Sequence, residues 1–419
     1  MTIRLEPEDY PYWFVRRAFG WSVVLQIAWR LPAPIGRDAL AEFGARLGDG
    51  VLNRRIVDAT VPFARPAWVR AARCPEPAID ADTVAADAVE TWLADELQTA
   101  PLDPERGPSW RLRGADTDDG GFVLSLTALH LVADGKAMVG AAITALSGVG
   151  NDDVAAPTRL ADAFDGVGQL VSVLTGIAKA ARAFGSAQQA DARPAKSAAH
   201  VRAPNARYAW ATVSVDAAEW RQIAERGGGT ANTLFVAVLA GALHNAGYGP
   251  VKAGIPVSRR ESGDRRANAT AGVSVLLQPD DDLATIRAEC KAAFTGLSGG
   301  KRAPHVHLLP LARLLPTGLV VKAATAGSGM PDLVASNLGG FEPGLRTVGG
   351  VTASAVAFRG IAQGVEPGLP YRFGDGIQSW CLETDGVLTF SVVAFDETID
   401  LQSVLTKELD RWAVPHQVW

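Results

Sequence analysis

The sequence predicts an α/β fold arranged in two lobes. A chain of 419 residues is long enough for two cores of ordinary domain size, and one core of that length would be unusual. Strand patterns stand beside helix patterns: residues 122–128 alternate and are rich in β-formers, and apolar residues follow at helical spacing over 138–146. A polar connector at 186–205 separates the halves. We therefore predict an N-terminal lobe at 1–185 and a C-terminal lobe at 206–419.

Composition argues against several classes of protein. Hydrophobic residues make up 48% of the chain, but no uninterrupted apolar stretch reaches the roughly 18 residues of a membrane span. This predicts a chain without a transmembrane segment. The first ten residues lack the basic start and apolar core of a secretory signal, so we expect a cytoplasmic location. The 40 basic and 45 acidic residues nearly balance, which removes any strong argument for nucleic-acid binding.

The cysteines and histidines do not predict a metal site. Cys74, Cys290 and Cys381 lie too far apart for a local pair of metal ligands, and their odd number is typical of a reducing compartment. His305 and His307 form the one close histidine pair of the sequence. Because no cysteine or acidic partner stands near them, we interpret this pair as part of a loop.

The N-terminal lobe begins with an aromatic-rich region. Its aromatic and large apolar side chains include Tyr10, Tyr12, Trp13, Phe14, Trp21, Leu25 and Trp29. They either line a substrate pocket or belong to a core, and the core interpretation is favoured. Helical spacing predicts a helix at 37–47. Pro62 and Pro66 disfavour a helix within 52–71, so we expect that segment to be extended.

Three patterned segments then lead to a histidine motif. A helix is predicted at 85–97, a strand at 108–113, and a turn at the acidic and glycine cluster 116–121. The turn connects to the strand 122–128, and a helix pattern begins again after residue 135. This strand, loop and helix organise the lobe.

His130 stands at the end of that strand, where a rigid scaffold can hold its side chain still. The ordinary pKa of histidine, about 6.5, lets the ring take and return a proton near neutrality. A lone histidine is more often a structural residue, but two neighbours favour a site. Asp134 can accept a hydrogen bond from an arginine and hold the loop. Gly135 removes a side chain where a substrate has to pass close to the backbone.

Helical spacing over residues 159–189 predicts one long helix. It lies on a membrane surface or packs on the protein, and its weakly basic polar face favours the second interpretation. The rest of the chain alternates between the two patterns. Strands are predicted at 208–215, 251–260, 272–277, 332–340, 350–358, 377–383 and 387–395, and helices at 217–226, 230–248, 280–296 and 401–412.

Two glycine-rich segments have structural explanations. The glycines at 227–229 lack the Lys-Ser/Thr of a phosphate-binding loop, and a helix capped by Thr230 or Asn232 accounts for them. Residues 296–300 match the Gly-x-Ser-x-Gly pattern around Ser298. A helix pattern precedes that serine, although the nucleophile of an α/β-hydrolase needs a preceding strand. A serine hydrolase nevertheless stays open as a different enzyme class.

The strand at 332–340 ends in Ser336, Asn337 and two glycines. A hydroxyl and an amide at a strand end can donate hydrogen bonds to a developing oxyanion, and the glycines admit a substrate. A plain turn is the alternative interpretation.

The motif at residues 129–135 resembles that of the acyl-CoA-dependent acyltransferase superfamily. This superfamily includes chloramphenicol acetyltransferase, condensation domains of nonribosomal peptide synthetases, polyketide-associated acyltransferases and bacterial wax ester synthases. Its motif is His-His-x-x-x-Asp-Gly. Here the second histidine, the aspartate and the glycine stand at His130, Asp134 and Gly135, whereas Leu129 replaces the first histidine. Several members of the superfamily also lack that first histidine.

Two further segments resemble the wax ester synthase and polyketide-associated branches. One is the Pro-Val-Ser-x-Arg segment with its later Asn, at 256–268, and the other is Ser-Asn-x-Gly at 336–339. In the superfamily an arginine from elsewhere in the fold commonly pairs with the motif aspartate. Arg259 or Arg260 is therefore the candidate partner of Asp134, since guanidinium and carboxylate fit in a two-pronged pair. The equally weighted alternative is that these arginines are ordinary surface charges.

The resemblance implies two chloramphenicol acetyltransferase-like lobes that meet at a central tunnel. His130, with Asp134, would be catalytic: its ring would take the proton of a hydroxyl or amine acceptor that attacks a thioester carbonyl. Gly135, Ser336 and Asn337 would contact substrates. The donor would be an acyl-CoA or the phosphopantetheinyl thioester of an acyl carrier protein, without metal or other cofactor. A fatty or polyketide acyl chain would suit the N-terminal aromatics and a role in lipid metabolism.

Leu129 keeps a second interpretation open. The chain could be a condensation-like binding module that keeps the fold within a lipid, polyketide or peptide pathway but performs no catalysis.

Overall fold

The computed structural model describes most of the chain. The described residues are 2–148, 154–186, 208–261, 263–299, 315, 331–365, 376–396 and 398–419. Residues 187–205 of the predicted connector, and the pair His305 and His307, lie outside them. The division of the chain at 186–205 therefore stays a prediction, and so does the central tunnel.

Helices and strands alternate along the described chain. The helices are α1 (Tyr10–Phe19), α2 (Arg37–Asp49), α3 (Val89–Thr99), α4 (Gly135–Ser147), α5 (Arg159–Ser186), α6 (Ala217–Arg226), α7 (Ala231–Asn245), α8 (Leu283–Ser298) and α9 (Leu401–Arg411). The strands are β1 (Ile3–Arg4), β2 (Ser22–Leu31), β3 (Arg54–Val57), β4 (Ala67–Arg70), β5 (Ala78–Ile79), β6 (Trp110–Asp116), β7 (Phe122–Leu129), β8 (Ala209–Asp216), β9 (Val251–Ser258), β10 (Thr270–Leu277), β11 (Leu333–Phe341), β12 (Thr347–Val348), β13 (Val351–Thr352), β14 (Ala355–Gln363), β15 (Ile377–Thr384), β16 (Val387–Ala394) and β17 (Gln417–Val418).

A five-stranded sheet, in the order β14-β2-β7-β6-β5, carries the histidine motif. Strand β7 lies in its middle, and all eight residues of β7 are buried. Helices cover both faces. On β2, Gln26 donates a hydrogen bond to the Leu93 carbonyl of α3, and Trp29 contacts Phe43 of α2. Since side chains three positions apart on a strand point to opposite faces, α3 and α2 lie on opposite sides of the sheet.

One strand of this sheet comes from the other end of the sequence. Strand β14 pairs antiparallel with β2 over its whole length, from Ala355 opposite Arg30 to Gln363 opposite Ser22. The segment that we assigned to the C-terminal lobe therefore completes the N-terminal sheet. A division of the chain at one connector does not describe this strand, because its pairing partner lies more than three hundred residues away in sequence.

The second half of the chain builds a seven-stranded sheet in the order β10-β9-β11-β15-β16-β8-β17. Strand β11 is parallel to both of its neighbours, β9 and β15, and the other pairs are antiparallel. Helix α7 is apolar nearly all round and is buried between this sheet and α6, α8 and α9, as such a helix must be. Each half of the described chain has a large hydrophobic core, and a smaller cluster lies between α3 and the first sheet. The predicted two-lobed α/β architecture is confirmed.

Helix α5 attaches to the N-terminal half through its acidic side chains. Asp162 pairs with Arg4 at 2.7 Å and Asp165 pairs with Arg65 at 2.8 Å, and both carboxylates are buried. Its outer face exposes apolar residues, among them Leu160, Phe164, Val167, Val171 and Leu174. By length and composition alone, residues Arg159–Ala178 could cross a membrane. Their ion pairs hold the helix on the protein, in agreement with the favoured interpretation.

Most predicted elements are present. The helix at 217–226 has the predicted bounds, and the extended character of 52–71 is borne out by β3 and β4. Two long elements, α1 and β2, were missed because the first thirty residues were interpreted only as an aromatic-rich region. The two-residue strands β1, β5 and β17 were not predicted either. The strand predicted at 350–358 is also displaced, since β14 begins at residue 355 and the short pair β12 and β13 precedes it.

Candidate active site

His130 directly follows β7, as the strand pattern predicts. Its backbone N–H donates to the Val23 carbonyl of β2 at 2.9 Å, so the pairing of the two strands continues through this residue. The imidazole is half-buried. Because β7 is the central strand of the sheet, the ring is presented from a rigid part of the fold.

The ring is held from the opposite half of the sequence by Asn268, which lies 138 residues away. Nδ1 of His130 lies 3.0 Å from Oδ1 of Asn268. The amide orientation follows from its other end: Nδ2 of Asn268 faces three acceptors, namely Oδ1 of Asp9 at 2.8 Å and the carbonyls of His130 and Leu131 at 3.1 and 3.3 Å. Only an amide nitrogen can donate to all three.

This orientation determines the tautomer of the ring. Since Oδ1 of Asn268 is an acceptor, Nδ1 of His130 must carry the hydrogen. The lone pair of the neutral ring is then on Nε2. Within the described part of the chain Nε2 has no hydrogen-bond partner, so this nitrogen can take a proton from an incoming group.

An aromatic side chain covers one face of the imidazole. The rings of Tyr12 and His130 are stacked with their centroids 4.0 Å apart and an interplanar angle of 18°. Burial, together with the negative charges of Asp134 and Asp9, raises the pKa of the Tyr12 phenol well above its usual value. Tyr12 therefore stays protonated and restrains the ring of His130 without competing as a base.

Burial also lowers the pKa of His130, because desolvation disfavours the charged imidazolium. Its own backbone carbonyl, the charge of Asp134 and the Asn268 side chain act in the opposite direction but do not outweigh burial. The ring is therefore neutral at pH 7, which is the protonation state that a general base requires.

Asp134 connects the motif loop to the segment before β10. Its Oδ1 caps α4 by accepting from the Ala137 N–H at 2.9 Å. Its Oδ2 accepts from Nη2 of Arg260 at 2.8 Å and from the Ala269 N–H at 2.9 Å. We predicted a catalytic Asp134, but both oxygens are occupied and neither contacts the ring of His130. Asp134 is therefore a positioning residue.

Arg260, and not Arg259, is the partner of Asp134. The Arg260 guanidinium also donates to the carbonyls of Asp264, Arg266 and Ala267, so it gathers the loop that carries Asn268. The side chain of Arg259 is exposed, and the residue is held through its backbone: its N–H donates to the Ala269 carbonyl and its carbonyl accepts from the Arg266 guanidinium. Both arginines follow the end of β9 at Ser258, and in this loop the side chain of Arg260 turns towards the carboxylate whereas that of Arg259 turns outwards.

Gly135 allows the two lobes to approach closely. A Cβ at this position would lie 2.5 Å from Cδ2 of Leu338 on β11 and 3.4 Å from Cζ of Phe358 on β14. The structure therefore gives this glycine a packing reason. Its predicted contact with a substrate stays a prediction.

Replacing Gly135 by alanine is expected to lower the free energy of unfolding by about 1–3 kcal/mol, because the new methyl group overlaps a buried leucine. Gly140→Ala in the same helix is the matched control: its methyl group meets nothing within 4 Å, so it should stabilise by about 0.5–1 kcal/mol. Urea unfolding curves of the two variants measure the difference. Equal losses of unfolding free energy at both glycines would contradict the packing role of Gly135. Adding Leu338→Ala should partly restore the stability that Gly135→Ala loses.

Ser336 and Asn337 point to opposite faces of β11. Leu338, on the face of Ser336, lies against Gly135, whereas Ala335, on the face of Asn337, belongs to the C-terminal core. Nδ2 of Asn337 donates to Asn232 at 3.1 Å and its Oδ1 accepts from the Gly339 N–H. In the structure Asn337 braces β11 against α7, and the contribution of both side chains to one oxyanion stays a prediction.

Ser336 keeps its candidate role. Its side chain is half-buried on the face towards the N-terminal lobe, and the described residues offer its hydroxyl no hydrogen-bond partner. Asn232, the alternative cap of α7, is occupied by Asn337, and Thr230 forms the cap instead.

Two other candidate chemistries find little support. Ser298 is the last residue of α8 and is exposed, so no strand precedes it as a hydrolase nucleophile requires. In the described ranges no three His, Cys, Asp or Glu side chains converge to hold a metal ion.

The sequence analysis missed two partners of the candidate base, Asp9 and Tyr12, and noted Asn268 only as part of a segment. Asp9 precedes α1 and resembles an ordinary helix cap, yet its side chain forms no cap hydrogen bond. No spacing in the sequence connects residues 9 and 12 with residue 130. The available sequence signal for the support of the base was Asn268, because it belongs to the segment after β9 that resembles the superfamily.

Comparison with known proteins concerns structures alone, since no family model and no curated protein matches the sequence. The wax ester synthase/diacylglycerol acyltransferase of Marinobacter aquaeolei VT8 is 17% identical with a TM-score of 0.60, and 98% of each chain is covered. Polyketide synthase associated protein 5 of Mycobacterium tuberculosis is 14% identical with a TM-score of 0.55, covering 98% of this chain and 96% of that one.

A starter condensation domain of rhizomide synthetase, solved in complex with C8-CoA, is 14% identical with a TM-score of 0.59. The match covers 98% of this chain and 94% of that domain. At these identities the likeness concerns the fold, and it agrees with the resemblance carried by the motif at 129–135. The chain has the two-lobed α/β fold of the superfamily that contains wax ester synthases and condensation domains.

Proposed function

We propose that this protein is an acyltransferase that moves an acyl group from a thioester to a hydroxyl or amine, with His130 as general base. The observation that carries the proposal is the tautomer and protonation state of the His130 imidazole. Asn268 holds the hydrogen on Nδ1, the Nε2 lone pair is free among the described side chains, and burial keeps the ring neutral. A base needs these three properties together.

In the proposed reaction the acceptor loses its proton to Nε2 while its oxygen or nitrogen bonds to the thioester carbonyl carbon. The carbonyl becomes an oxyanion, towards which the Ser336 hydroxyl is the candidate hydrogen-bond donor. When the carbon–sulfur bond breaks, the departing thiolate takes the proton from Nε2. His130 returns to its neutral state, so the residue is unchanged after each transfer and no other cofactor is required.

The donor is proposed to be acyl-CoA or the phosphopantetheinyl thioester of an acyl carrier protein. Support comes from the shared fold with a condensation domain that binds C8-CoA and with a wax ester synthase. A cytoplasmic location belongs to the same proposal, supported by the three free cysteines Cys74, Cys290 and Cys381, of which two are buried. For the acceptor we propose only its chemical class, a hydroxyl or an amine.

The test is incubation of the purified protein with acyl-CoAs of graded chain length and a panel of alcohols and amines, with products read by mass spectrometry. His130→Ala is run in parallel. We expect an ester or amide product with the wild-type protein and free CoA in equal amount. Free CoA with fatty acid as the sole product would indicate a hydrolase and contradict the proposal.

The lowered pKa of His130 predicts the pH dependence of this activity. A base with a depressed pKa stays deprotonated to lower pH, so the fall of kcat/KM on the acid side should have its midpoint below pH 6.5. NMR titration of the His130 ring, assigned by its absence in His130→Ala, measures the same pKa directly. A midpoint above 6.5 would show that charge partners outweigh burial, contrary to our account.

A binding module without catalysis is the second candidate, favoured by Leu129. This residue occupies the position of the first motif histidine and is buried in the N-terminal core. If acyl-CoA binds but no acceptor of the panel is acylated, and His130→Ala binds equally well, the binding module is the better description.

A further inference from the structure

Asp9 reaches the candidate active site from the N-terminus of the chain. It is fully buried, and the described residues provide no ion-pair partner for it. Oδ1 accepts from Nδ2 of Asn268 at 2.8 Å, and Oδ2 accepts from the Glu6 N–H at 2.7 Å. The residue stands at the start of α1, but its side chain does not cap that helix. Its carboxylate is therefore directed at Asn268 and not at its own helix.

A buried carboxylate is a costly way to accept two hydrogen bonds. Burial raises the pKa of Asp9 from 3.8 to about 7, so its charged form is unfavourable there and prevails above neutral pH. A neutral hydrogen-bond acceptor in this place would have a smaller desolvation penalty. The particular property of a carboxylate is that both oxygens accept and neither donates, so the group facing it must present an N–H.

We propose that Asp9 is a positioning residue for His130 and acts through Asn268. By demanding an N–H, Asp9 fixes the amide of Asn268 so that Oδ1 faces the imidazole, and this places the ring hydrogen on Nδ1. Tyr12, from the same N-terminal segment, stacks on the ring at 4.0 Å. Residues 9–12 thus complete the support of the base. The inference rests on the proposed function, but it concerns the tautomer of one ring, which can be observed without any substrate.

The isosteric variant Asp9→Asn tests this chain of contacts. An amide offers one oxygen to two N–H groups, those of Glu6 and Asn268, so one N–H must face another donor. Turning the Asn268 amide relieves that conflict, although it gives up the bonds to the His130 and Leu131 carbonyls, and it directs the amide nitrogen at Nδ1 of His130. The ring then has to carry its hydrogen on Nε2, which removes the lone pair of the base.

The first measurement is the tautomer of His130 in full-length protein labelled with 15N-histidine. Two-bond 1H–15N correlation spectra separate protonated from unprotonated ring nitrogens, and His130→Ala identifies the signals. We expect the Nδ1–H form in the wild type and a shift towards the Nε2–H form in Asp9→Asn. Asp282→Asn is the control: it also replaces a carboxylate that accepts a backbone N–H at a helix start, but far from the ring. An unchanged tautomer in Asp9→Asn overturns the proposal.

The second measurement is kinetic and uses the acyl-CoA and acceptor pair accepted by the wild type. Asp9→Asn should lower kcat about 10–100-fold with KM within about twofold, since the loss concerns the base and not substrate binding. In an Asn268→Ala background the same change should have no further effect. A full additional loss in that background would mean that Asp9 acts by another route and would overturn the proposal.

The two readouts also separate this inference from the proposed function. If His130→Ala retains full activity, the proposed function fails, and the tautomer spectra still decide whether Asp9 positions the ring. If Asp9→Asn folds poorly, the tautomer of His130 is measured in Asn268→Ala instead. This variant removes the acceptor of the Nδ1 hydrogen, so the Nδ1–H form should be lost. Persistence of the Nδ1–H form would contradict the positioning scheme.

Discussion

His130→Ala is expected to lower kcat of acyl transfer by about 10²–10⁴-fold, the usual contribution of a general base. The substitution removes the imidazole whose Nε2 lone pair is available at the candidate site and leaves the other contacts of the site in place. Steady-state kinetics with the acyl-CoA and acceptor found in the panel give kcat and KM separately. KM should change little, because the imidazole acts on the proton in transfer and not on the acyl chain.

His416→Ala is the matched control for this loss. Its ring bonds through Nδ1 to the nearby Val414 carbonyl near the C-terminus, outside the candidate site, so kcat should stay within about twofold of the wild type. If His130→Ala keeps the wild-type rate, His130 is not the base, and the binding module becomes the preferred description of the chain.

Asp134→Ala is expected to have the largest effect on stability, about 3–5 kcal/mol of unfolding free energy. The change breaks a buried ion pair and leaves the Arg260 guanidinium, whose side chain is 14% exposed, without its carboxylate. It also removes acceptors from the Ala137 and Ala269 N–H groups. Urea unfolding followed by tryptophan fluorescence measures the loss.

Two control variants divide this loss into its parts. Asp216→Ala removes a helix cap of the same kind, at α6, without an ion pair, and should cost about 1 kcal/mol. Arg259→Ala removes the neighbouring exposed arginine and should stay within about 0.5 kcal/mol. A loss at Asp134 no larger than that at Asp216 would mean that the contact with Arg260 contributes nothing measurable.

The arrangement around His130 relates the stability of the molecule to its proposed chemistry. Asp134 binds the backbone of Ala269, and the next residue towards the N-terminus is Asn268, which holds the ring. The carboxylate therefore fixes the segment that fixes the base, although it does not touch the ring itself. Weakening the Asp134–Arg260 pair should for this reason lower activity as well as stability.

The local part of the site could be predicted from the sequence. The β-type alternation before residue 130 and the helical spacing after residue 135 place His130 at a strand end and Asp134 at a helix start, because both patterns arise from contacts within a few residues. The resemblance at 129–135 then suggested the superfamily fold and an arginine partner for Asp134. The sequence did not distinguish Arg259 from Arg260, because both follow the end of β9 and the path of that loop decides which of them reaches Asp134.

The sequence by itself therefore determined the two-lobed α/β class, most helices and strands, and the identity of the candidate base. Only the tertiary structure decided what surrounds that base: Asn268 at Nδ1, Asp9 behind it, Tyr12 on the ring face, and Leu338 against Gly135. It also decided that β14 joins the N-terminal sheet. The physical reason is the separation along the sequence between the residues in contact. Periodicity and capping are set by neighbours along the chain, whereas these contacts join residues more than a hundred positions apart and depend on how two sheets are paired and docked.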